Sequence, residues 1–488
     1  MLPPLIQRSR RNAGNLSRER GVTLALVAVA IFSIIAMAGL SIDVGTLYEA
    51  SAEAQRAADA GALAAARMIS MSGVTGDPNN PSSWQEICGG TSSPATMAAK
   101  AVAQQNTVSG AQLPPGSITV GYAAGGAVGA AAPDCSTLVL PSLSGSSFAV
   151  NPVAVVKVTQ SSLPTYFSRI WGQRGSSVSA TATAEAFNPS YSGASGGSAV
   201  PVQPRCVKPW IVPNLDPLHT TTPPNPCTTN CTPFVDPQSG SIKTPGIVPA
   251  GVIGETFWLV PDCHHSGSTC TLRNPPQADY PGGGRIPNPP SLFYLPGQTS
   301  YASTAIPSSA DACSDATGNY AQAIAGCDQS TKYQCGVQKM NVVDLSENPG
   351  VADTTNGGQC LIRQGNGNSG QDILQLNGAA PYYPFQIQPG SSNPLLSAGV
   401  GNNDLITSST SIVSLPIYDN SPGNAINPSG TTDVTVIGFL QVFINSVDGN
   451  GNVNVTVMNV AGCGNAASSG TAYLTGTSPV PVRLITAP

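Results

Sequence analysis

The longest uninterrupted run of apolar residues lies near the beginning of the chain. Residues 21–42 read GVTLALVAVAIFSIIAMAGLSI and contain no charged side chain. A helix of that length spans about 33 Å at ~1.5 Å per residue, which matches a bilayer hydrocarbon core of about 30 Å. Because every backbone group inside lipid must be hydrogen-bonded within its own segment, the run predicts a transmembrane helix.

The helical pattern continues beyond the apolar run. Residues 43–70 contain no proline and are rich in alanine, the residue with the highest helix propensity. We expect one helix over residues 21–70, about 75 Å long, that ends at Ser72 and Gly73.

Alanines recur at every fourth position in the second half of this helix. They are Ala50, Ala54, Ala58, Ala62 and Ala66. Rows of small residues allow two backbones to approach closely, which favours packing against a sister helix or against the chain's own sheet. An alanine-rich helix without any partner would show the same pattern, so both interpretations stay open.

The arginines before the apolar run predict how the helix is oriented in the membrane. Residues 1–20 carry five arginines and one glutamate, a net charge of +4, whereas the rest of the chain sums to −9. By the positive-inside rule we expect a basic cytoplasmic tail, a single-pass helix in the cytoplasmic membrane, and export of residues 43–488. The acidic body lacks the basic surface that nucleic-acid binding requires, so no nucleic-acid partner is expected.

An apolar run of this kind has two other interpretations besides a permanent membrane anchor. A cleaved secretory signal has an apolar stretch of about 7–15 residues followed by an Ala-x-Ala site. Ala36-Met37-Ala38 has that form, but the run continues through Ile42 without a proline. A core helix of a soluble protein would not require the arginine-rich flank. The uncleaved anchor is therefore favoured.

The remainder of the chain is predicted to be an α+β protein that becomes mainly β. Charged residues make up only 9% of the chain, and 52 glycines and 44 prolines favour short strands and loops. We expect the long helix to pack on a small sheet with strands over residues 117–122, 137–140, 148–160 and 177–187. A hairpin is expected from residues 433–447 and 452–460 around the Asp-Gly-Asn-Gly turn at 448–451.

Shifts in composition divide the chain into six segments. They are a basic tail (1–20), the transmembrane helix (21–42), a helix extension with an α+β domain (43–190), a Gly/Ser- and Pro-rich linker (191–250), a cysteine-rich irregular β region (251–430) and a C-terminal β-hairpin region (431–488).

Cysteine usage agrees with export. All twelve cysteines, from Cys88 to Cys463, follow the apolar run. In an oxidising compartment an even number of cysteines predicts up to six disulfides, whose pairing the sequence does not determine.

One cysteine-containing loop also has the composition of a metal site. It contains Cys263, His264, His265 and Cys270. Zinc accepts sulfur and nitrogen ligands in a tetrahedral arrangement. However, adjacent histidines in a short loop rarely both bind one ion, and an exported cysteine pair is more often a disulfide. The disulfide is the favoured interpretation, and no motif predicts a cofactor.

The N-terminal helix carries a pattern that resembles a known family. The residues that form it are Gly21, Asp43, Val44, Gly45, Tyr48, Gln55, Ala58, Asp59, Ala62 and Leu63. Glycine before the apolar run, Asp-Val-Gly at its exit, and a following Gln-x-Ala-Ala-Asp-Ala-x-Ala-Leu stretch look like the start of TadG-like proteins of Flp/Tad pilus assembly. The strand-rich residues 153–160 and 177–187, which flank LPTYFSRIWG, are similar to the end of TadE/TadG-like N-terminal regions. The resemblance covers residues 18–187 and carries no information on residues 190–488.

The family comparison also reveals a departure from processed pilins. Prepilin peptidase substrates have glycine before the cut and glutamate at the fifth position after it. Counted from Gly21, that position is Leu26; counted from Gly14, it is Glu19, with an arginine on either side. The resemblance therefore implies a permanent tether rather than a pilin subunit that leaves the membrane.

Three functions compete. The first is a non-catalytic scaffold that is anchored in the membrane and contacts pilus-assembly or other envelope proteins, with helix–helix self-association as a further contact. The second is a surface module that binds carbohydrate or matrix on the same anchor. The third is a tethered hydrolase, which would have to use His219, His264 or His265 without a recognisable nucleophile motif. The first is favoured, and no enzyme activity is expected.

Overall fold

The computed structural model describes most of the chain. The described residues are 16–78, 80–124, 135, 151–172, 175–191, 200–219, 231–261, 278–279, 290–299, 313–336, 341–344, 351–365, 367–421, 431–465 and 474–485. The chain divides into two compact units. The first comprises Met1–Ala58, Ala103–Ile118 and Lys157–Thr181, and the second comprises Asp59–Val102, Thr119–Val156 and Ala182–Pro488.

The described helices are few and one of them dominates. They are α1 (Leu16–Met71), α2 (Pro81–Cys88), α3 (Pro94–Gln104), α4 (Asn319–Ala325) and α5 (Val351–Ile362). Helix α1 is one uninterrupted element of 56 residues. It ends where predicted: Gly73 adopts φ 78°, and a Cβ at this position would lie 2.6 Å from the Met458 carbonyl oxygen, so glycine is required there.

The described strands are short except for four. In chain order they are β1 (Thr107–Val108), β2 (Ala111–Gln112), β3 (Ile118–Ala124), β4 (Pro152–Leu163), β5 (Ser176–Ala186), β6 (Val202–Pro204), β7 (Trp210–Pro213), β8 (Thr256–Pro261), β9 (Ala278–Asp279), β10 (Ser291–Pro296), β11 (Asn341–Asp344), β12 (Ile373–Leu374), β13 (Leu376–Asn377), β14 (Ala380–Pro381), β15 (Ile387–Gln388), β16 (Ile412–Tyr418), β17 (Thr431–Val434), β18 (Val436–Val447), β19 (Val453–Gly462), β20 (Leu474–Gly476) and β21 (Val482–Ile485). With the long helix, they confirm the predicted α+β class.

The first unit contains the N-terminal part of α1 and the short hairpin β1–β2. The hairpin is antiparallel, with Thr107 opposite Gln112. Its turn is held to the helix, because the Glu53 carboxylate accepts a hydrogen bond of 2.6 Å from the Ser109 backbone N–H. Further along the helix, the Gln55 amide donates to the carbonyl oxygen of Thr181 at 3.4 Å.

The second unit is organised around a ring of six strands. The hydrogen-bonded order is β7–β16–β18–β19–β8–β10, and β10 pairs in turn with β7, which closes the ring. Two of the pairs, β16 with β7 and β10 with β8, are parallel, whereas the other four are antiparallel. Closure removes the unpaired sheet edges that otherwise invite aggregation.

The main core lies against this ring. All six strands contribute to one cluster of buried apolar side chains, and helices α4 and α5 add Tyr320, Ile324, Leu361 and Ile362 to it. Trp210 of β7 and Tyr294 of β10 pack at a centroid distance of 6.0 Å. Burial of such aromatic side chains supplies a large share of the stability of a body that has few charges.

The hairpin predicted near the C-terminus is present as β18 and β19, with Val447 opposite Val453. Its turn is held by Asp448, whose carboxylate accepts hydrogen bonds from the backbone N–H groups of Asn450 and Asn452 at 2.8 and 2.9 Å. Strands β3, β4 and β5 also lie near the predicted ranges. The strand expected over residues 137–140 falls outside the described residues.

The segment interpreted as a linker differs from the expectation. Within residues 191–250, Trp210–Pro213 forms a strand of the ring, and the Trp210 side chain is completely buried. Prolines on both sides of this run give it the composition of an irregular segment. The pairing with β10 and β16, far away in the sequence, provides the hydrogen bonds that a linker would take from water.

Disulfides join distant parts of the second unit. The described bonds are Cys88–Cys135, Cys206–Cys327, Cys313–Cys360 and Cys335–Cys463, and Cys231 is also disulfide-bonded. The two longest links span 121 and 128 residues. Cross-links across such long loops restrict the unfolded chain strongly. The expectation of disulfides is confirmed for these four.

A buried polar network holds the end of α1 within the second unit. The Asn459 amide of β19 donates to the Ser70 carbonyl oxygen at 3.0 Å and to the Thr75 hydroxyl at 2.9 Å. The Asn188 amide donates to the same hydroxyl at 3.2 Å and to the Val460 carbonyl oxygen at 3.0 Å. The bond to Ser70 satisfies one of the carbonyl groups that the end of a helix leaves unpaired.

Candidate functional site: the exposed apolar helix and its base

The large side chains of the apolar stretch of α1 are exposed from Val22 to Ile42. Leu24, Phe32 and Met37 are 75%, 69% and 68% exposed, and only 6% of the most apolar 18-residue window is buried. Soluble proteins rarely expose a contiguous apolar patch of this extent to water. By length and composition, this one helix among the described residues is apolar enough to cross a membrane.

The exit of the apolar stretch is packed closely against residues 166–168. Gly39 is buried, and a Cβ at this position would lie 2.7 Å from Cγ of Phe167. Glycine therefore makes room for the Phe167 ring at the helix surface. The short 3₁₀ helix Ser168–Trp171 begins immediately after this contact.

Asp43 fixes that contact. Its carboxylate is 5% exposed and accepts hydrogen bonds from the backbone N–H groups of Tyr166 at 2.9 Å, Phe167 at 3.1 Å and Ser168 at 2.6 Å. These bonds lower the pKa of Asp43, with that from Ser168 foremost. The aspartate of the exit motif thus acts as a cap for the segment that packs on the helix.

The other motif residues separate into an exposed and a buried group. Val44 and Tyr48, one turn apart, are 42% and 75% exposed, and Gly45 has open space beside it. Ala58 and Ala62 are completely buried, whereas Asp59 and Leu63 are half-buried. Gly21 lies within the helix. The motif therefore combines positions that shape the fold with exposed positions that leave a surface free for contact.

Residues 21–68 match the family model for putative Flp pilus-assembly TadE/G-like proteins.

The match confirms the resemblance for the N-terminal segment, which is called the TadE/G-like segment below. It contains the apolar stretch, the Asp43 cap and the buried alanines. No curated protein and no solved structure matches the chain. The similarity expected over residues 153–187 stays a prediction.

The metal site considered at Cys263, His264, His265 and Cys270 lies outside the described residues. The structure assembles a different group, Asp216, His219 and Glu255, whose ligand atoms all lie within 4.8 Å of one another. The sequence offers two signals for it: an Asp-x-x-His spacing, and a glutamate inside the apolar run at residues 252–260. Neither signal indicates that the two segments meet.

The geometry of this group is tight. The His219 Nδ1 lies 2.9 Å from Oδ2 of Asp216 and 2.6 Å from Oε1 of Glu255. Asp216 is completely buried, Glu255 is 1% exposed and the His219 side chain is 17% exposed. Burial raises the pKa of Glu255, and the hydrogen bond to Asp216 raises the pKa of His219 to about 10.

Proposed function

We propose that this protein is a permanently membrane-anchored structural component of a Flp/Tad-type pilus assembly or a related surface system. The observation that carries the proposal is the long helix, in which an exposed apolar stretch of membrane length lies inside the TadE/G-like segment. The apolar stretch of α1 anchors the protein in the membrane, and the rest of the helix extends beyond the membrane surface.

The proposed orientation follows from charge. Arg18 and Arg20 precede the apolar stretch, and Asp43 is the first charged residue after it. With positive charge retained in the cytoplasm, the β-rich body with its disulfides is exported. Leu26 in place of the glutamate of processed pilins supports a tether that stays in the membrane.

The proposed role is scaffolding without catalysis. The body contributes a closed ring of strands and disulfides between segments outside the ring, which together suit a rigid contact surface. On the helix, Val44 and Tyr48 lie just beyond the apolar stretch and expose apolar side chains on one face. Such a pair suits contact with another envelope protein or with the same helix of a second copy.

Photo-crosslinking of the full chain in native membranes tests the proposal. Benzoylphenylalanine replaces Tyr48 in one variant and Leu376, which is 57% exposed on the body, in the control. After irradiation and affinity enrichment, the Tyr48 position is expected to give adducts with pilus-assembly or secretion components. Consistent recovery of none at Tyr48, in cells that assemble the system, contradicts the proposal.

A further inference from the structure

A cluster outside the TadE/G-like segment has the chemistry of a cation site. Asp216 lies in the loop after β7, and Glu255 directly precedes β8, so two segments of the second unit meet there. His219 and Glu255 both line a cavity of about 430 Å³. The cavity gives access to the group from solvent and leaves space for a water molecule as a further ligand.

One ring nitrogen of His219, Nδ1, faces both carboxylates. Nε2 of His219 lies 3.3 Å from the Pro249 carbonyl oxygen, to which it donates when it carries the proton. Nδ1 then presents a lone pair to Asp216 and Glu255, and a metal cation between them takes the place that a proton on Nδ1 otherwise holds. Metal-binding histidines typically donate their other ring nitrogen to a carbonyl oxygen in this way.

Asp216 is held in place for such a role. Its Oδ1 accepts hydrogen bonds from the backbone N–H groups of Leu218 at 2.9 Å and His219 at 3.1 Å. The Thr244 hydroxyl donates to Oδ2 at 3.3 Å. A carboxylate oriented by three donors meets a requirement of a preorganised ligand set.

Glu255 provides an independent indication of a ligand. It is 1% exposed, and its Oε2 accepts no hydrogen bond from any described residue. A buried carboxylate oxygen without a donor costs free energy unless something binds it. Once a metal cation displaces the proton from Nδ1, two carboxylates and a neutral imidazole together carry two negative charges, which a divalent cation neutralises.

We propose that Asp216, His219 and Glu255 form a binding site for a divalent transition-metal cation of the zinc type. Zinc combines one imidazole nitrogen with carboxylate oxygens at about 2.0–2.2 Å and adds water in an open fourth position. Ligand atoms around such an ion lie about 3.3 Å apart. Nδ1, at 2.9 Å from the Asp216 oxygen and 2.6 Å from the Glu255 oxygen, therefore has to move away from each by about half an ångström. The bound cation links the loop at 214–219 to the start of β8.

Metal titration of the full chain tests this site. The protein is purified in detergent with its disulfides intact, stripped with a chelator and titrated with Zn²⁺ by calorimetry, and bound metal is counted by mass spectrometry. One zinc per chain is expected. Glu255→Gln keeps the shape and removes the charge, and it is expected to weaken binding by about 100-fold or more, since loss of even an outer-shell partner costs 10–100-fold.

Three controls separate this site from other binding. Asp236→Asn removes a carboxylate that is paired with Lys243 at 2.6 Å, and it is expected to bind zinc normally. The double variant His264→Ala/His265→Ala is also expected to bind normally. Millimolar Ca²⁺ is not expected to compete, because calcium prefers six to eight oxygen ligands.

Thermal unfolding shows whether each variant is folded and whether zinc stabilises it. Zinc is expected to raise the Tm of the unmodified chain and of Asp236→Asn, but not that of Glu255→Gln or of a second variant, His219→Gln. No stoichiometric zinc, equal affinity in Glu255→Gln, loss of binding only in the His264/His265 variant, or displacement by Ca²⁺ would each overturn the proposal.

Discussion

The two halves of helix α1 differ in side-chain size, in charge and in burial. The stretch at residues 22–42 is built from leucine, isoleucine, valine and phenylalanine, and its large side chains are 50–75% exposed. The stretch at residues 50–69 is built mainly from alanine, and Ala54, Ala57, Ala58 and Ala62 are completely buried. Large side chains fill space where lipid is the solvent, whereas small ones allow protein to approach the backbone. Side-chain size and charge together distinguish the exposed stretch from the buried one.

Arginines in the large-side-chain stretch should have the largest effect. Ile31→Arg/Ile35→Arg introduces two charges near its centre, at a cost of about 5–7 kcal/mol for membrane insertion. The chain is expected to leave the carbonate-washed membrane pellet. The matched control, Val44→Arg/Tyr48→Arg, has the same spacing outside the stretch and should stay in the pellet. If both variants leave the pellet equally, residues 22–42 are not what holds the chain in the membrane.

Enlarging a side chain in the alanine-rich stretch should lower the stability of the body and leave membrane retention unchanged. Ala62→Leu forces extra methylene groups into a packed site and is expected to lower the free energy of unfolding by about 1–3 kcal/mol. Thermal unfolding in detergent, followed by near-ultraviolet circular dichroism, measures this loss. Leu26→Ala in the exposed stretch should leave the unfolding temperature of the body unchanged, and a comparable drop in both variants would show that the halves do not differ.

The polar network at the end of the buried half gives a smaller effect. Asn459→Ala removes the donor to the Ser70 carbonyl and leaves buried polar groups unpaired, at a cost of about 1–2 kcal/mol. The same unfolding experiment measures it. Asn377→Ala, at an exposed position of β13, is the control. An unchanged unfolding temperature for Asn459→Ala would mean that the network does not stabilise the body.

The smallest expected effect lies between the two halves, at Asp43. Because its folded pKa is lowered, the carboxylate stabilises the contact with residues 166–168 above its ordinary pKa near 3.8, and this contribution is lost as the pH falls through the lowered value. Hydrogen exchange at the Ser168 amide, corrected for intrinsic rates, should show protection that declines in acid. Asp43→Asn should reduce protection at neutral pH and flatten that decline, whereas Glu49→Gln on the same helix should do neither.

Local patterns in the sequence predicted the elements that depend on neighbouring residues. The helix observed as Leu16–Met71 was expected over residues 21–70, because its period, alanine content and terminal glycine are all local signals. The β18–β19 hairpin was expected for the same reason. The ring of strands was not, since β7 pairs with β16 about 200 residues later and has prolines around it. The Asp216–His219–Glu255 group was missed because its members lie on separate segments brought together only by that ring.

The proposed function requires the chain to stay in the membrane through residues 22–42 without being processed. Intact-mass analysis of the native protein, recovered with detergent from carbonate-washed membranes, tests this most directly. We expect to find, in the membrane fraction, the mass of the unprocessed chain less the hydrogens lost in disulfides. The mass of a chain cleaved after Gly14, Gly21 or Ala38 would contradict the permanent anchor. Recovery of the protein in the soluble fraction would contradict it as well.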